Sequence, residues 1–402
     1  MILLQVVFWL ALLLILQTYV GYPVGIYLKS KGRMGDDSGE ELLDAELPSI
    51  TVLIPAYNEE RWIARKIENA LAFEYPSDRR QILIACDGCS DNTIAIAGEY
   101  ASRGVDVQHN PQRGGKPALL NRMVPTISSE IVLVTDATAQ LPPGTLRWLA
   151  GHFRDPDVGC VTGPRVCVPT DSSASEGEGL YLRYEAWIKR SESRLGTCLG
   201  ANGPVMAVRK SLFPYIPEIN DDFYVGMKIL VFDRAKVLFE PRAKALMPAA
   251  ASLRQELERK VRTNAGFLRE MPYLALALNP WKSAIWWRFF SHHVLRRLVP
   301  FAMIAVCAAS ALLGQHSNSY RAAFLGQMAF YTGAIAGFLL EYWRVRFRLF
   351  YFPFYFSFAN VAVLLAWIRW ARGKQQYAWQ KTERIVPQVQ PAHSERATGK
   401  PA

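Results

Sequence analysis

Cysteine is scarce in this sequence, and its scarcity excludes two classes of protein. Only six cysteines occur among 402 residues, without the even spacing of a disulfide-stapled scaffold. Cys86 and Cys89 form a close pair, but no second cysteine pair or histidine cluster completes a zinc site with them. The chain is therefore expected to fold around a hydrophobic core in a reducing environment.

Charged residues are absent from the first 28 positions. This apolar stretch is long enough to cross roughly 30 Å of hydrocarbon as a helix. Lys29, Lys31 and Arg33 follow it directly, as a positive flank on the cytoplasmic side does. We predict a transmembrane helix over 1–28 and a linker over 29–47.

Long apolar stretches return only near the C-terminus, at about 299–313, 322–340 and 350–367. Their lengths predict transmembrane helices within 298–370. The preceding segment, 271–297, mixes aromatic and basic residues, which predicts an amphipathic helix in the membrane interface; a solvated loop followed by an ordinary helix is the alternative. A basic polar tail occupies 371–402. One span before a cytoplasmic middle and three after it leave this tail outside, against the positive-inside bias.

Acidic residues are outnumbered, 35 against 46 Lys and Arg, so the net charge is +11. No nucleic-acid partner is expected, because the excess does not concentrate on the soluble part. Several basic residues flank the apolar segments and are expected to face lipid headgroups: Lys29, Lys31, Arg33, Arg288, Arg296 and Arg297.

The middle of the chain, 48–270, alternates short apolar runs with helix-type spacing. The runs 50–55, 81–86, 105–109 and 131–135 predict strands, each followed by a helix. This order predicts a mostly parallel sheet covered by helices. In such folds, ligands bind beyond the carboxyl ends of the strands.

Acidic clusters follow three of these strands, within 55–59, 87–91 and 136–138. One acid after a strand is usually a helix cap or turn former, but three at one sheet edge repel each other unless a cation or hydrogen-bonding ligand lies between them. Between them, Arg113-Gly114-Gly115-Lys116 opens a helix with exposed N–H groups and two cations, which suits phosphate oxygens.

These segments, read in order as VLIPAYNEE, CDGCSDNT, GGKPALLN, VTDATAQ, GANGPVMAVRKSLF, INDDFYVGMKIL and FEPRA, resemble the membrane-bound family 2 glycosyltransferases of the GT-A fold, in the cellulose synthase-like branch. The resemblance runs from about residue 49 to 266. It implies a Rossmann-like α/β domain, a nucleotide-diphosphate sugar donor that is usually UDP-linked, a divalent cation (Mg²⁺ or Mn²⁺), and displacement with inversion at the anomeric carbon.

The resemblance also implies a set of donor-binding residues. They are Pro55, Tyr57 and Glu59 in the first nucleotide loop, Asp87 on the uracil ring, Lys116 near the phosphates, and Asp136 beside the ribose and the metal. Thr138 stands where the family's Asp-x-Asp motif has its second acid. A neutral hydroxyl is a poorer metal ligand than a carboxylate, so this departure predicts a weakened metal site.

For the chemistry, the resemblance assigns the general base to Asp222. Asn202, Gly203 and Asp221 are placed at the donor sugar or the acceptor. Arg259 and Arg262 fall where processive members carry Gln-(Gln/Arg)-x-Arg-Trp, and lie on one helical face suited to the leaving pyrophosphate. Neither the Gln nor the Trp of that motif is present, which favours a non-processive enzyme.

The sequence therefore predicts a multi-pass inner-membrane hexosyl- or N-acetylhexosaminyltransferase with a cytoplasmic catalytic domain. It is expected to act on a membrane-associated or lipid-linked glycan in envelope or exopolysaccharide biosynthesis, alone or with other polysaccharide-assembly proteins. Two alternatives stay open. One is a processive polysaccharide synthase, and the other is a catalytically weak scaffold subunit, which Thr138 supports.

Overall fold

A long apolar helix begins the chain. The computed structural model describes residues 1–33, 39, 41–168, 173–250, 252–343 and 348–373. α1 (Ile2–Leu16) continues through a single π-helical turn into α2 (Tyr22–Lys31). Apolar side chains such as Leu10, 62% exposed, project from α1 away from the rest of the protein. An apolar surface of this kind is suited to lipid.

The described residues of the middle region form two sheets. The strands are β1 (Ile50–Ala56), β2 (Arg80–Asp87), β3 (Val105–Asn110), β4 (Ile131–Val134), β5 (Val158–Thr162), β6 (Arg165–Val168), β7 (Met206–Arg209), β8 (Lys236–Phe239) and β9 (Ala245–Pro248). Seven of them are ordered β3-β2-β1-β4-β7-β5-β8, with β7 antiparallel to both neighbours, while β6 pairs with β9. The predicted mostly parallel sheet is thus confirmed, and the four predicted strands correspond to β1–β4.

Helices cover both faces of the larger sheet. The described helices of this region are α3 (Ile63–Leu71), α4 (Thr93–Gly98), α5 (Lys116–Met123), α6 (Thr145–His152), α7 (Ser173–Arg194), α8 (Asp221–Val231) and α9 (Leu253–Glu270). Every residue of β1 is buried, as expected for a central parallel strand between two helical layers. Pro55 still pairs with Ala85 of β2, whereas the pairing of β1 with β4 ends at Leu53. A proline fits here because its missing N–H faces the side where the ladder has ended.

The C-terminal part is helical. α10 (Trp286–Phe289) runs through a π-helical turn into α11 (Leu295–Leu313), and α12 (Asn318–Tyr342) and α13 (Tyr351–Ala371) follow. Together with the N-terminal helix, four helices in the described part of the chain are long and apolar enough to cross a membrane. The predicted N-terminal apolar helix and three C-terminal apolar helices are confirmed.

The segment 271–297 differs from the expected interfacial helix. Residues 271–278 form a 3₁₀ helix, and from Trp286 the chain already belongs to the helix that ends at Leu313. Arg288 donates to the Glu192 and Thr197 carbonyls, and Arg296 to the Glu185 carboxylate. The expectation that Arg288 and Arg296 face lipid headgroups is therefore wrong, because both bind α7 or the loop that follows it.

The membrane helices pack directly on the α/β domain. α9 and α13 approach closely through Ala265, Ala362 and Ala366, all completely buried. α2 contacts α7, where the Tyr22 hydroxyl donates to Glu192 at 2.5 Å. The predicted tail lies outside the described residues from 374 onward, and positions 34–38 and 40 of the predicted linker lie outside them as well.

Candidate functional site

The carboxyl ends of β1, β2 and β4 meet at one edge of the sheet, where the site is built. At the end of β2, the buried carboxylate of Asp87 accepts hydrogen bonds from the N–H groups of Gly114 (2.9 Å) and Gly115 (2.6 Å). Gly115 has φ +85°, a left-handed conformation that favours glycine. Asp87 thus fixes the glycine-rich turn before α5, and its predicted contact with uracil stays a prediction.

Lys116 joins the acids of two distant segments. Its Nζ lies 3.1 Å from Asp136 Oδ1, after β4, and 2.9 Å from Asp221 Oδ2, at the start of α8. Burial alone lowers the pKa of Lys116, but the charges of Asp136, Asp221 and Asp222 outweigh it and hold the pKa above its usual value. Lys116 therefore supplies part of the positive charge that the converging acids need.

Asp222 is held by backbone N–H groups. Its Oδ2 accepts from Gly203 (2.9 Å) and its Oδ1 from Phe223 (2.8 Å). A Cβ on Gly203 would lie 3.2 Å from Oδ2, closer than ordinary contact, so the small residue lets the backbone approach. Burial and then the charge of Asp221 raise the pKa of Asp222, against Lys116 and the two N–H groups. A carboxylate with a raised pKa is a stronger base.

Asn202 belongs to a turn that is fixed from three sides. Its backbone N–H donates to Thr162 Oγ1 (2.9 Å), its side-chain amide donates to the Gly163 carbonyl (2.8 Å), and its Oδ1 accepts from Lys189 Nζ (3.0 Å). Sequence reasoning missed Lys189, which reaches the turn from α7. The turn therefore places Gly203 under Asp222 with little freedom.

The first nucleotide loop lies against the glycine-rich turn. The guanidinium of Arg113 lies 3.9 Å from the ring centroid of Tyr57, a cation–π contact. Glu59 is buried, and its backbone N–H donates to Thr93 Oγ1 at 2.7 Å. The loops after β1 and β2 thus lie at the same edge of the sheet as Lys116, Asp136 and Asp222, and their roles in binding a nucleotide stay predictions.

The residues after β4 suit a metal only in combination with a ligand. Asp136 offers one carboxylate and Thr138 one hydroxyl, and the described residues contain no group of three or more His, Cys, Asp or Glu side chains arranged around a common point. Mg²⁺ is commonly bound by one or two carboxylates, with substrate phosphates and water completing its shell. The donor set fits this kind of site, in which the phosphates are indispensable.

Arg259 and Arg262 lie in a different environment from the one expected. The Arg259 guanidinium binds Glu178 and Glu256, each at 2.6 Å. Burial lowers the pKa of Arg259, but the charges of these two carboxylates outweigh burial and raise it. Burial and the charges of Arg259 and Arg369 lower the pKa of Arg262. Because Glu178 and Glu256 already neutralise Arg259, it can bind a pyrophosphate only by releasing these carboxylates.

Two buried ionisable residues beside the site were missed by the sequence reasoning. Lys66 is completely buried in α3, and burial lowers its pKa to about 7 against the charge of Asp136. Its position in the apolar stripe of Ile63 and Ala70 was a usable signal. Glu270 is also completely buried, and burial followed by the charge of Asp222 raises its pKa to about 8. No local pattern marks Glu270, because α8 and α9 meet only in the folded chain.

Known proteins resemble this chain in sequence and in fold. The family model described as glycosyltransferase-like family 2 matches residues 48–212. A beta-monoglucosyldiacylglycerol synthase of Trichormus variabilis is 28% identical over 159 residues, covering 38% of this chain and 34% of the relative. A protein of the same name from Synechocystis is 30% identical over 168 residues, covering 40% and 35%. The aligned region thus spans about a third of the length of these curated relatives.

A solved structure matches nearly the whole fold. The mannosyltransferase PcManGT from Pyrobaculum calidifontis, in complex with GDP-Man and Mn²⁺, superposes with a TM-score of 0.69 over 92% of this chain and 100% of that one, at 20% identity. At this identity the likeness concerns the fold alone. It confirms the expected GT-A-like domain carried by apolar helices.

Proposed function

We propose that this chain is a membrane-anchored inverting glycosyltransferase, because residues 48–212 match the model of glycosyltransferase-like family 2. It moves a hexosyl unit from a nucleotide-diphosphate donor, UDP-linked in the first instance, to a membrane lipid or lipid-linked acceptor. The catalytic domain faces the cytoplasm from the inner membrane. The proposal is supported by the four apolar helices and by the cluster of Lys116, Asp136 and Asp222.

The donor binds along the carboxyl edge of the sheet. Tyr57 and Glu59 receive the nucleoside, and Asp136 lies by the ribose. Lys116 faces the diphosphate, where its ammonium is already oriented by two carboxylates. Asp136 and Thr138 would hold a divalent cation together with phosphate oxygens, and this cation would neutralise the charge that develops on the leaving diphosphate.

Asp222 acts as the general base. As the acceptor hydroxyl oxygen bonds to the anomeric carbon, Asp222 takes its proton, and the bond to the diphosphate breaks on the opposite face. One glycosidic bond replaces one glycosyl–phosphate bond, with inversion. The N–H groups of Gly203 and Phe223 fix the carboxylate before the acceptor arrives, so its orientation costs nothing during the reaction.

One observation in particular supports an acceptor in the membrane. Phe223, the residue next to Asp222, has its ring centroid 4.7 Å from that of His293 and 6.4 Å from that of Phe289. Both partners belong to the helix Trp286–Leu313, which is long and apolar enough to cross a membrane. The residue next to the proposed base thus contacts a helix that can cross the membrane. An acceptor hydroxyl at headgroup depth is therefore within reach of Asp222.

Glucose and diacylglycerol are the first donor sugar and acceptor to test, because the two curated relatives are named for a glucosyl diacylglycerol product. The test compares the purified chain with Asp222→Asn in nanodiscs that contain diacylglycerol. The variant is expected to lower UDP release from UDP-glucose by at least about 100-fold, the usual contribution of a general base. Its affinity for UDP, measured by calorimetry, should stay near that of the parent.

Asp233→Asn is the matched control, because Asp233 is an exposed aspartate just after α8. It should keep full activity. Parental turnover in Asp222→Asn would remove Asp222 from the mechanism.

A further inference from the structure

Lys66 connects the two ends of the Asp136–Thr138 turn. Its Nζ donates to Thr135 Oγ1 at 3.0 Å and to the Ala139 carbonyl at 2.7 Å. Thr135 precedes the turn and Ala139 follows it, so one side-chain amino group joins the two flanks of the turn on its buried side. Lys66 itself is completely buried and lies out of reach of a ligand.

The core does not need a lysine at this position. Ile63, Ile67 and Ala70 surround it on the buried face of α3, where an apolar side chain of similar length fits the pattern. Burying an amino group is costly, and replacing buried charged groups with apolar residues is often neutral or stabilising. A buried lysine that destabilises the fold next to a predicted binding turn indicates a role in ligand binding.

The turn is also held from its other side. Lys116 binds the carboxylate of Asp136, while Lys66 binds the backbone and hydroxyl at the turn's two ends. With Thr138 in place of a second acid, a cation supplies less ordering of this turn than it would with two carboxylates. A turn fixed before the ligand arrives avoids part of the ordering cost of binding.

We propose that Lys66 is a positioning residue for the sugar nucleotide: it holds the Asp136–Thr138 turn in the conformation that binds the donor's ribose and diphosphate. This proposal rests on the proposed function, since the donor is the ligand in question. Lys66 does not touch the donor, and it acts through the turn whose two ends it binds.

Asn69, one turn along α3, provides a matched control. It donates to the Leu141 carbonyl at 2.8 Å and accepts from the Leu141 N–H at 3.0 Å. Asn69→Leu thus removes two hydrogen bonds from the same segment of chain, but outside the turn. If Lys66 only supported the fold, the two variants would behave alike.

The experiment uses the full chain in detergent and compares Lys66→Met with Asn69→Leu. In Lys66→Met, hydrogen exchange of the amides at 136–139 is expected to accelerate, and the KM for UDP-glucose to rise about tenfold, equivalent to about 1.4 kcal/mol. Its kcat at saturating donor should change little. Asn69→Leu should accelerate exchange at residue 141 and leave the donor KM near that of the parent.

Unchanged exchange at 136–139 in Lys66→Met overturns the proposal, and so does an equal rise in KM in both variants. Should Lys66→Met fail to fold, Lys66→Gln, which keeps a polar amide at this position, takes its place. A parent chain that consumes no sugar nucleotide refutes the proposed function instead. In that case the exchange comparison still decides whether Lys66 holds the turn.

Discussion

Glu270 places another buried carboxyl group beside the pair formed by Asp221 and Asp222. Burial and the charge of Asp222 raise its pKa to about 8, while a side-chain hydrogen bond with Asn220 and the charge of Arg297 oppose this shift. At neutral pH the group is therefore mostly protonated, which limits the negative charge around the proposed base.

This protonation predicts a pH-dependent stability. The folded-state pKa of Glu270 is above its unfolded value, so protonated Glu270 contributes fully to the stability of the fold below the unfolded pKa. This contribution is lost as the pH rises through the folded-state value of about 8. Between pH 5.5 and 7.5 it lowers the free energy of unfolding by about 1.4 kcal/mol per pH unit. Glu270→Gln, which stays neutral, should lose this part of the slope.

Thermal melts of parent and Glu270→Gln across this pH range measure the effect. The advantage of the variant should grow with pH. Parallel melting curves at every pH would mean that Glu270 is already ionised in the folded protein.

At the residue scale, the sequence identifies groups that belong to motifs. Asp87, Lys116, Asp136 and Asp222 follow strands or open helices, and such positions lie at one edge of a parallel sheet. Lys66 and Glu270 belong to no motif. Their environment arises from contacts between elements far apart in the chain, which periodicity within one helix does not describe.

At the scale of elements, α7 joins the α/β domain to the apolar helices. Along its length, four ionic or polar side chains reach different partners: Glu178 binds Arg259, Glu185 binds Arg296, Lys189 binds the Asn202 turn, and Glu192 binds His292. These connections could not be predicted from the sequence, because each partner comes from another segment. Burial would raise the pKa of Glu185, but Arg296 and His292 reverse this and lower it.

The contact between α9 and α13 gives a prediction for the membrane helices. Ala366 is completely buried against Val261 and Ala265. Ala366→Leu adds volume where no space remains and should cost about 1–3 kcal/mol of stability. It should also lower kcat, since Gly266 of α9 lies directly against Asn220, two residues before Asp222.

The melting temperature and UDP release of the purified variant provide the measurement. Val361→Leu, at a position 50% exposed on the same helix, is the control and should leave both unchanged. Equal stability and activity in the two variants would contradict a tight junction between α9 and α13.

For the whole molecule, the net charge of +11 is a single number, but the structure shows that its basic residues have different partners. Arg288, Arg296 and Arg259 bind groups of the protein itself, and Lys116 lies among the acids of the site. Alternating patterns predicted the mostly parallel sheet, and long apolar runs predicted the four helices. How the helices dock on the domain depends on individual ion pairs and alanine contacts, which composition does not encode.

The most direct measurement of the central claim is the product itself. The purified chain in nanodiscs with diacylglycerol is incubated with UDP-glucose and Mg²⁺, and the lipid extract is analysed by mass spectrometry. The account predicts a lipid that has gained one hexose, together with one UDP released per lipid modified. A water-soluble polymer as the main product, or no transfer to lipid from any nucleotide-linked hexose, would contradict it.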